Sequence, residues 1–121
     1  MFYIKIKVKE SKISGLGLFA DQDIKKGERI YKHSPDLDLQ LTSKQFEALD
    51  KREQDTIMHY GYIDKNTGMH RLDHDDIRFV NDSNDPNIGT DENGIIVALK
   101  NIRTGEELTQ NCSDFENRRF V

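Results

Sequence analysis

A chain of 121 residues can hold one self-sufficient hydrophobic core, so residues 1–121 read as a single domain, whose core is thin because 33% of the residues are charged and only 35% hydrophobic. That composition suits a homodimer hiding part of an apolar face, and the formal charge of -4 argues against direct nucleic-acid binding and for a basic partner. One cysteine cannot close an internal disulfide, and neither a secretory pattern nor a membrane-length apolar run is present, so the cytoplasm, or a nucleus in a eukaryote, is the expected compartment.

Residues 2–8, FYIKIKV, alternate apolar and basic side chains with the period of a strand that has one wet face, and the lysines blunt an exposed edge. SGLGLFA comes next, with two glycines one residue apart, and then DIKKGERIY, where Lys26-Gly27 forms a turn before another strand. DLDLQL adds a short strand. One helix is predicted from Thr42 to about Tyr60: Thr42 and Gln45 make a capping box, and Phe46, Leu49, Ile57 and Tyr60 share a face that Glu53 interrupts. YGYID, KNTG and MHRL form a hairpin, DIRFVNDSNDPN a short strand entering a polar loop, and Asn93-Gly94 a turn before the strand of Ile95 to Leu99. No repeat, linker or low-complexity segment stands out.

Three separated segments carry the functional reading: SKISGLGLFADQDIKKGERI (11–30), RFVNDSNDPNI (78–88) and VALKNIRTGEELTQNCSDF (97–115). In order and spacing they resemble the SET domain, the protein-lysine methyltransferase fold. The resemblance implies a mainly β, small SET-type (β-clip) fold of short, mostly antiparallel sheets with one main helix and a C-terminal pseudoknot. It also implies S-adenosyl-L-methionine as cofactor and a lysine-containing protein or peptide as substrate.

Gly15 and Gly17 lack side chains, so a ligand can approach the backbone there; a tight turn between strands is the plainer alternative. By resemblance Gly15, Leu16 and Gly17 hold the methionine end of the cofactor, Asn81 and Asp82 also contact it, and Phe120 covers the adenine. Asp82 stands where the family usually has histidine. Phe115 falls where an aromatic often lines the lysine channel, although Phe115 and Phe120 equally suit core or tail-anchoring roles.

The charged turn IRTGEEL sets the register of the residues after it, and in that register Cys112 occupies the position of the catalytic tyrosine. A thiol is shorter than a phenol and a weaker hydrogen-bond partner. Three accounts are open: a phenol from Tyr60 or Tyr62 replaces the missing hydroxyl, the domain is a weak or non-methylating module that binds cofactor or peptide, or Cys112 is itself reactive. Cys112 as a small buried hydrophobe, and a purely structural β-rich interaction domain, are the alternatives. His70, Asp73, His74, Asp75 and Asp76 lack a recognised metal-ligand spacing and read as a solvated turn, and DKNTG as a hairpin turn rather than a calcium loop, so no metal site is predicted.

Overall fold

The computed structural model describes residues 1–114, so Phe115 and Phe120 lie outside the described residues. In chain order the strands are β1 (Ile6–Glu10), β2 (Leu16–Ala20), β3 (Arg29–Tyr31), β4 (Leu39–Leu41), β5 (Tyr62–Ile63), β6 (His70–Leu72), β7 (Asn81–Asp82), β8 (Ile88–Thr90), β9 (Ile96–Ala98) and β10 (Glu107–Gln110). Helices α1 (Ser43–Glu47) and α2 (Lys51–Tyr60) lie between β4 and β5. The result is the expected mainly β architecture of short, mostly antiparallel sheets with one main helix, α2. No helix among the described residues is long and apolar enough to cross a membrane. Two compact units divide the chain: Met1–His33 with Phe79–Asn111, and Ser34–Arg78 with the segment that begins at Cys112.

The first unit contains a sheet in the order β1-β2-β10-β7 and a second in the order β3-β9-β8. The period-two pattern at the N-terminus is realised: Phe2, Ile4, Ile6 and Val8 are half-buried while Tyr3, Lys5, Lys7 and Lys9 are exposed. Strand β10 pairs antiparallel with β2 and parallel with β7, so it fills the centre of its sheet. Leu18, Ile24, Ile30, Ile88, Ile96, Ile102 and Leu108 are fully buried, and each such side chain removed from water contributes about 1.5–3 kcal/mol.

Contrary to the sequence reading, the first unit contains a repeat. Residues 20–30 (ADQDIKKGERI) and 98–108 (ALKNIRTGEEL) share Ala, Asp or Asn, Ile, Gly and Glu at the same offsets. Their hydrogen bonds match one for one. Ile24 and Ile102 each donate a backbone N–H to the other's carbonyl at 2.8 Å. Gly27 donates to the Ala98 carbonyl and Gly105 to the Ala20 carbonyl, both at 2.8 Å, while Ala98 donates to Glu28 and Ala20 to Glu106, both at 2.9 Å. Asn101 Oδ1 accepts the Lys26 N–H, and Asp23 Oδ1 accepts the Thr104 N–H, again both at 2.9 Å. Both turn glycines have positive φ, 90° at Gly27 and 92° at Gly105, where a side chain would be strained. The bonds from Thr104, backbone first and then hydroxyl, hold the Asp23 carboxyl below the usual aspartate range.

In the second unit β4, β6 and β5 form one antiparallel sheet beside the helical segment. The single predicted helix is instead two. Thr42 and Gln45 make the expected capping box for α1, and a second box, Asp50 with Glu53, starts α2. The Gln54 side chain donates to the carbonyls of Phe46, Glu47 and Leu49 at 3.2, 3.3 and 3.1 Å, satisfying the groups that the end of α1 leaves open. Glu53, which interrupts the apolar stripe, is therefore a cap, and of the stripe only Ile57 is buried. Asp50→Ala is expected to lower stability by about 1 kcal/mol, read as an earlier urea midpoint; an unchanged midpoint would contradict the second cap.

Residues 70–76 are only in part the solvated turn expected from sequence, since His74 is exposed but His70 and Asp73 are not. His70 lies buried in β6 and stacks on Phe46, ring centroids 3.9 Å apart. Asp73 is buried, and Asp38 Oδ1 meets His74 Nδ1 at 2.7 Å while accepting the His74 N–H at 3.0 Å. His70 Nδ1 has no hydrogen-bond partner among the described residues, and burial lowers its pKa, with Glu47 opposing weakly. The unfolded chain thus takes up a proton near pH 6.5 that the folded chain resists, so stability is full above that pH and falls as the pH drops below it. Urea midpoints should decline on acidification through that window, and His70→Phe should flatten the decline; equal slopes would exclude His70 as its source.

Candidate functional site

The first unit brings together Gly15, Leu16, Gly17, Asn81 and Asp82. Between β1 and β2 the chain folds back on itself: the Ser11 N–H donates to the Gly15 carbonyl at 2.8 Å and the Ile13 N–H to Ser11 Oγ at 2.9 Å. Gly15 has φ 45°, and no heavy atom lies within 4 Å of where its Cβ would stand, so that side of its backbone is open. Gly17 is small for a different reason. A Cβ there would sit 2.5 Å from Glu107 Oε2 and 2.9 Å from Ser11 Cβ, so the space is taken by protein and not left for a ligand. Leu16 between them is exposed.

Asn81 ties this loop to the rest of the sheet. Its Nδ2 donates toward the carbonyls of Ser14 and Leu16 at 3.1 and 3.3 Å and toward Glu107 Oε2 at 2.9 Å. Glu107 also accepts the Ser11 hydroxyl, at 2.7 Å on Oε1 and 2.9 Å on Oε2. Asn87 is buried and behaves like a further strand residue along β10: its Nδ2 donates to the Glu107 carbonyl at 2.8 Å, and its Oδ1 accepts the Thr109 N–H at 2.8 Å. Asp82 pairs with Gln110 across the parallel β7–β10 register and is exposed.

Cys112, Tyr60 and Tyr62 belong to the second unit. Cys112 is buried in a 3-10 turn, Cys112–Asp114, that comes after β10. The two phenols differ in setting. Tyr60 ends α2, 42% exposed, with its ring edge against His59 at a centroid distance of 4.5 Å. Tyr62 lies on β5 opposite Arg71, and burial, reinforced by the Asp73 charge, pushes its phenol well above the ordinary tyrosine range. That hydroxyl keeps its proton throughout the physiological range.

The SET domain family profile matches residues 15–113, most of the chain. This chain belongs to the SET domain family. No curated protein matches it significantly. Among solved structures, a candidate histone methyltransferase of Plasmodium falciparum aligns at 24% identity and TM-score 0.61, over 89% of this chain and 92% of that one. A Chaetomium thermophilum Polycomb Repressive Complex 2 structure, autoinhibited and bound to S-adenosylmethionine, aligns at 24% identity and TM-score 0.70, over 94% of this chain. The apo autoinhibited form of that complex aligns at 23% identity and TM-score 0.69 over 95% of this chain. This SET domain spans only 16% of each Chaetomium chain.

Within the SET domain, three residues that matter to the loop escape a reading by motif. Glu107 looks like part of a solvated charged turn, yet Glu106 is exposed whereas Glu107 is half-buried. The strand boundary carries that information, because Glu107 begins β10 and Glu106 precedes it. The bonds of Ser11 to Glu107 and of Asn87 to Thr109 leave no local signal, since those partners are 96 and 22 residues away in sequence.

Proposed function

We propose that this SET domain transfers methyl groups from S-adenosylmethionine to a lysine of a basic protein or peptide inside the cell, in cytoplasm or nucleus. Family membership supports the reaction class, and the observation that carries the assignment to named residues is the open Gly15 backbone on a loop fixed by Asn81 and Glu107. Gly15 and Leu16 present backbone groups to the cofactor, and Gly17 lets the loop close on Glu107. The Asn81 amide is engaged within the protein and acts by shaping the loop. The exposed Asp82 carboxylate favours a cationic group beside it.

Bound S-adenosylmethionine supplies an electrophilic methyl group on a positively charged sulfur. The accepting lysine must be neutral, although a free lysine with pKa near 10.4 is neutral only about once in several thousand molecules at pH 7. An apolar channel and a nearby positive charge lower that pKa, and alignment of the amine supplies much of the rate. Cys112, at the family's tyrosine position, is too short and too weak a donor to orient the amine. Tyr62 carries a half-buried phenol on β5 whereas that of Tyr60 is exposed, and we assign the orienting role to Tyr62.

The buried thiol at Cys112 also favours a second reading, a SET domain that binds cofactor or a lysine-bearing peptide without transferring methyl groups. Two measurements separate the readings. Calorimetry with S-adenosylmethionine is expected to show binding, and its absence at millimolar ligand would exclude the enzyme and any cofactor-binding module. Radiolabelled methyl transfer to mixed basic proteins is expected for the enzyme, while binding without transfer identifies the inactive module.

A further inference from the structure

We propose that Glu107 is a positioning residue that sets the conformation of the cofactor loop, a role that rests on the methyltransferase reading for its purpose. The carboxylate sits at a junction of three chain segments. It takes the Ser11 hydroxyl from the stem of the loop and the Asn81 amide from β7, and it is itself carried on β10. Asn81 then reaches the carbonyls of Ser14 and Leu16, on either side of Gly15. Gly17 supplies the matching absence: Oε2 stands 2.5 Å from where its Cβ would be.

The chemistry explains why a carboxylate serves here. Ser11 and Asn81 both approach as donors, and an ionised carboxylate is the side chain that accepts from both without offering a hydrogen of its own. A glutamine in its place accepts one of them on oxygen and turns its amide hydrogens toward the other. Alanine leaves Ser11 and Asn81 without their shared acceptor and opens a gap over Gly17. The Ser11 N–H closes on the Gly15 carbonyl and the Asn81 amide reaches Ser14 and Leu16, so the two residues that Glu107 holds are ones that reach the tip of the loop. Glu107 thus ties both of them to β10.

The test uses the full chain with Glu107→Ala and Glu107→Gln, read by S-adenosylmethionine calorimetry and by hydrogen exchange of backbone amides. Glu107→Ala is expected to weaken cofactor binding by about tenfold, with Glu107→Gln recovering part of the loss and the KM for peptide unchanged. Exchange at Ser11 and Ile13, whose amides close the loop, should accelerate while β8 and β9 keep their protection. Unchanged exchange at Ser11 and Ile13 in Glu107→Ala overturns the proposal, as does acceleration spread evenly over β8 and β9. If the unaltered protein binds no cofactor, the methyltransferase reading fails, and the loop exchange still decides whether Glu107 positions the loop.

Discussion

Tyr62→Phe is expected to reduce methyl transfer by roughly 10²-fold or more while cofactor affinity stays unchanged, the loss associated with removing one preorganised donor at a reacting centre. The variant keeps the ring and its packing on β5 and deletes only the hydroxyl, so KM for peptide should move little and kcat should carry the effect. Tyr60→Phe serves as the comparison, because that phenol is 42% exposed at the end of α2 and should change the rate by less than about twofold. Cys112→Tyr placed on the Tyr62→Phe background asks whether a phenol at residue 112 restores turnover. A Tyr62→Phe protein with unaltered kcat would remove Tyr62 from the reaction and return attention to Cys112.

Ile24→Ala and Ile102→Ala are each expected to cost about 2–5 kcal/mol in urea unfolding, the range for truncating a large side chain in a packed core. Both residues are essentially inaccessible, 2% and 1% exposed, and they pair through a reciprocal backbone bridge. Equivalent places in the two copies of the repeat predict similar single losses. Contact between them predicts that the double variant loses less than the sum, because the second truncation widens a space already opened by the first. Additive losses, or one loss below about 0.5 kcal/mol, would mean that the two copies do not share a core.

Much of the β architecture is legible along the chain because it depends on short-range rules. Alternation marks β1, Asn93-Gly94 marks the approach to β9, and the Thr42 capping box marks the start of α1. The break before α2 is missed because Glu53 reads as a flaw in an apolar stripe, when its partner Asp50 makes the pair a second helix start. Gly15 and Gly17 look alike in sequence, and only distant partners separate them: Gly15 carries a left-handed backbone, whereas Gly17 yields room to a glutamate 90 residues further on. His70 and His74 read as solvent-facing because they are polar, but Phe46 and Asp38, far earlier in the chain, give them partners. The repeat escapes notice because its copies share few identities, spaced to serve turn geometry and mutual hydrogen bonds.

That repeat also governs when the first unit can fold. Bonds from Ile24, Lys26 and Gly27 end on residues 98–102, and bonds from Ala98, Ile102, Thr104 and Gly105 end on residues 20–28, whereas Asp21 and Leu99 donate elsewhere, to Lys5 and Asn87. A nascent chain that has emerged from the ribosome only as far as β8 holds one hook with nothing to catch. Closing the pair across 78 residues incurs its loop entropy before any of those bonds form, so folding of this unit should be slow for its size and should wait until β9 and the second hook have been made.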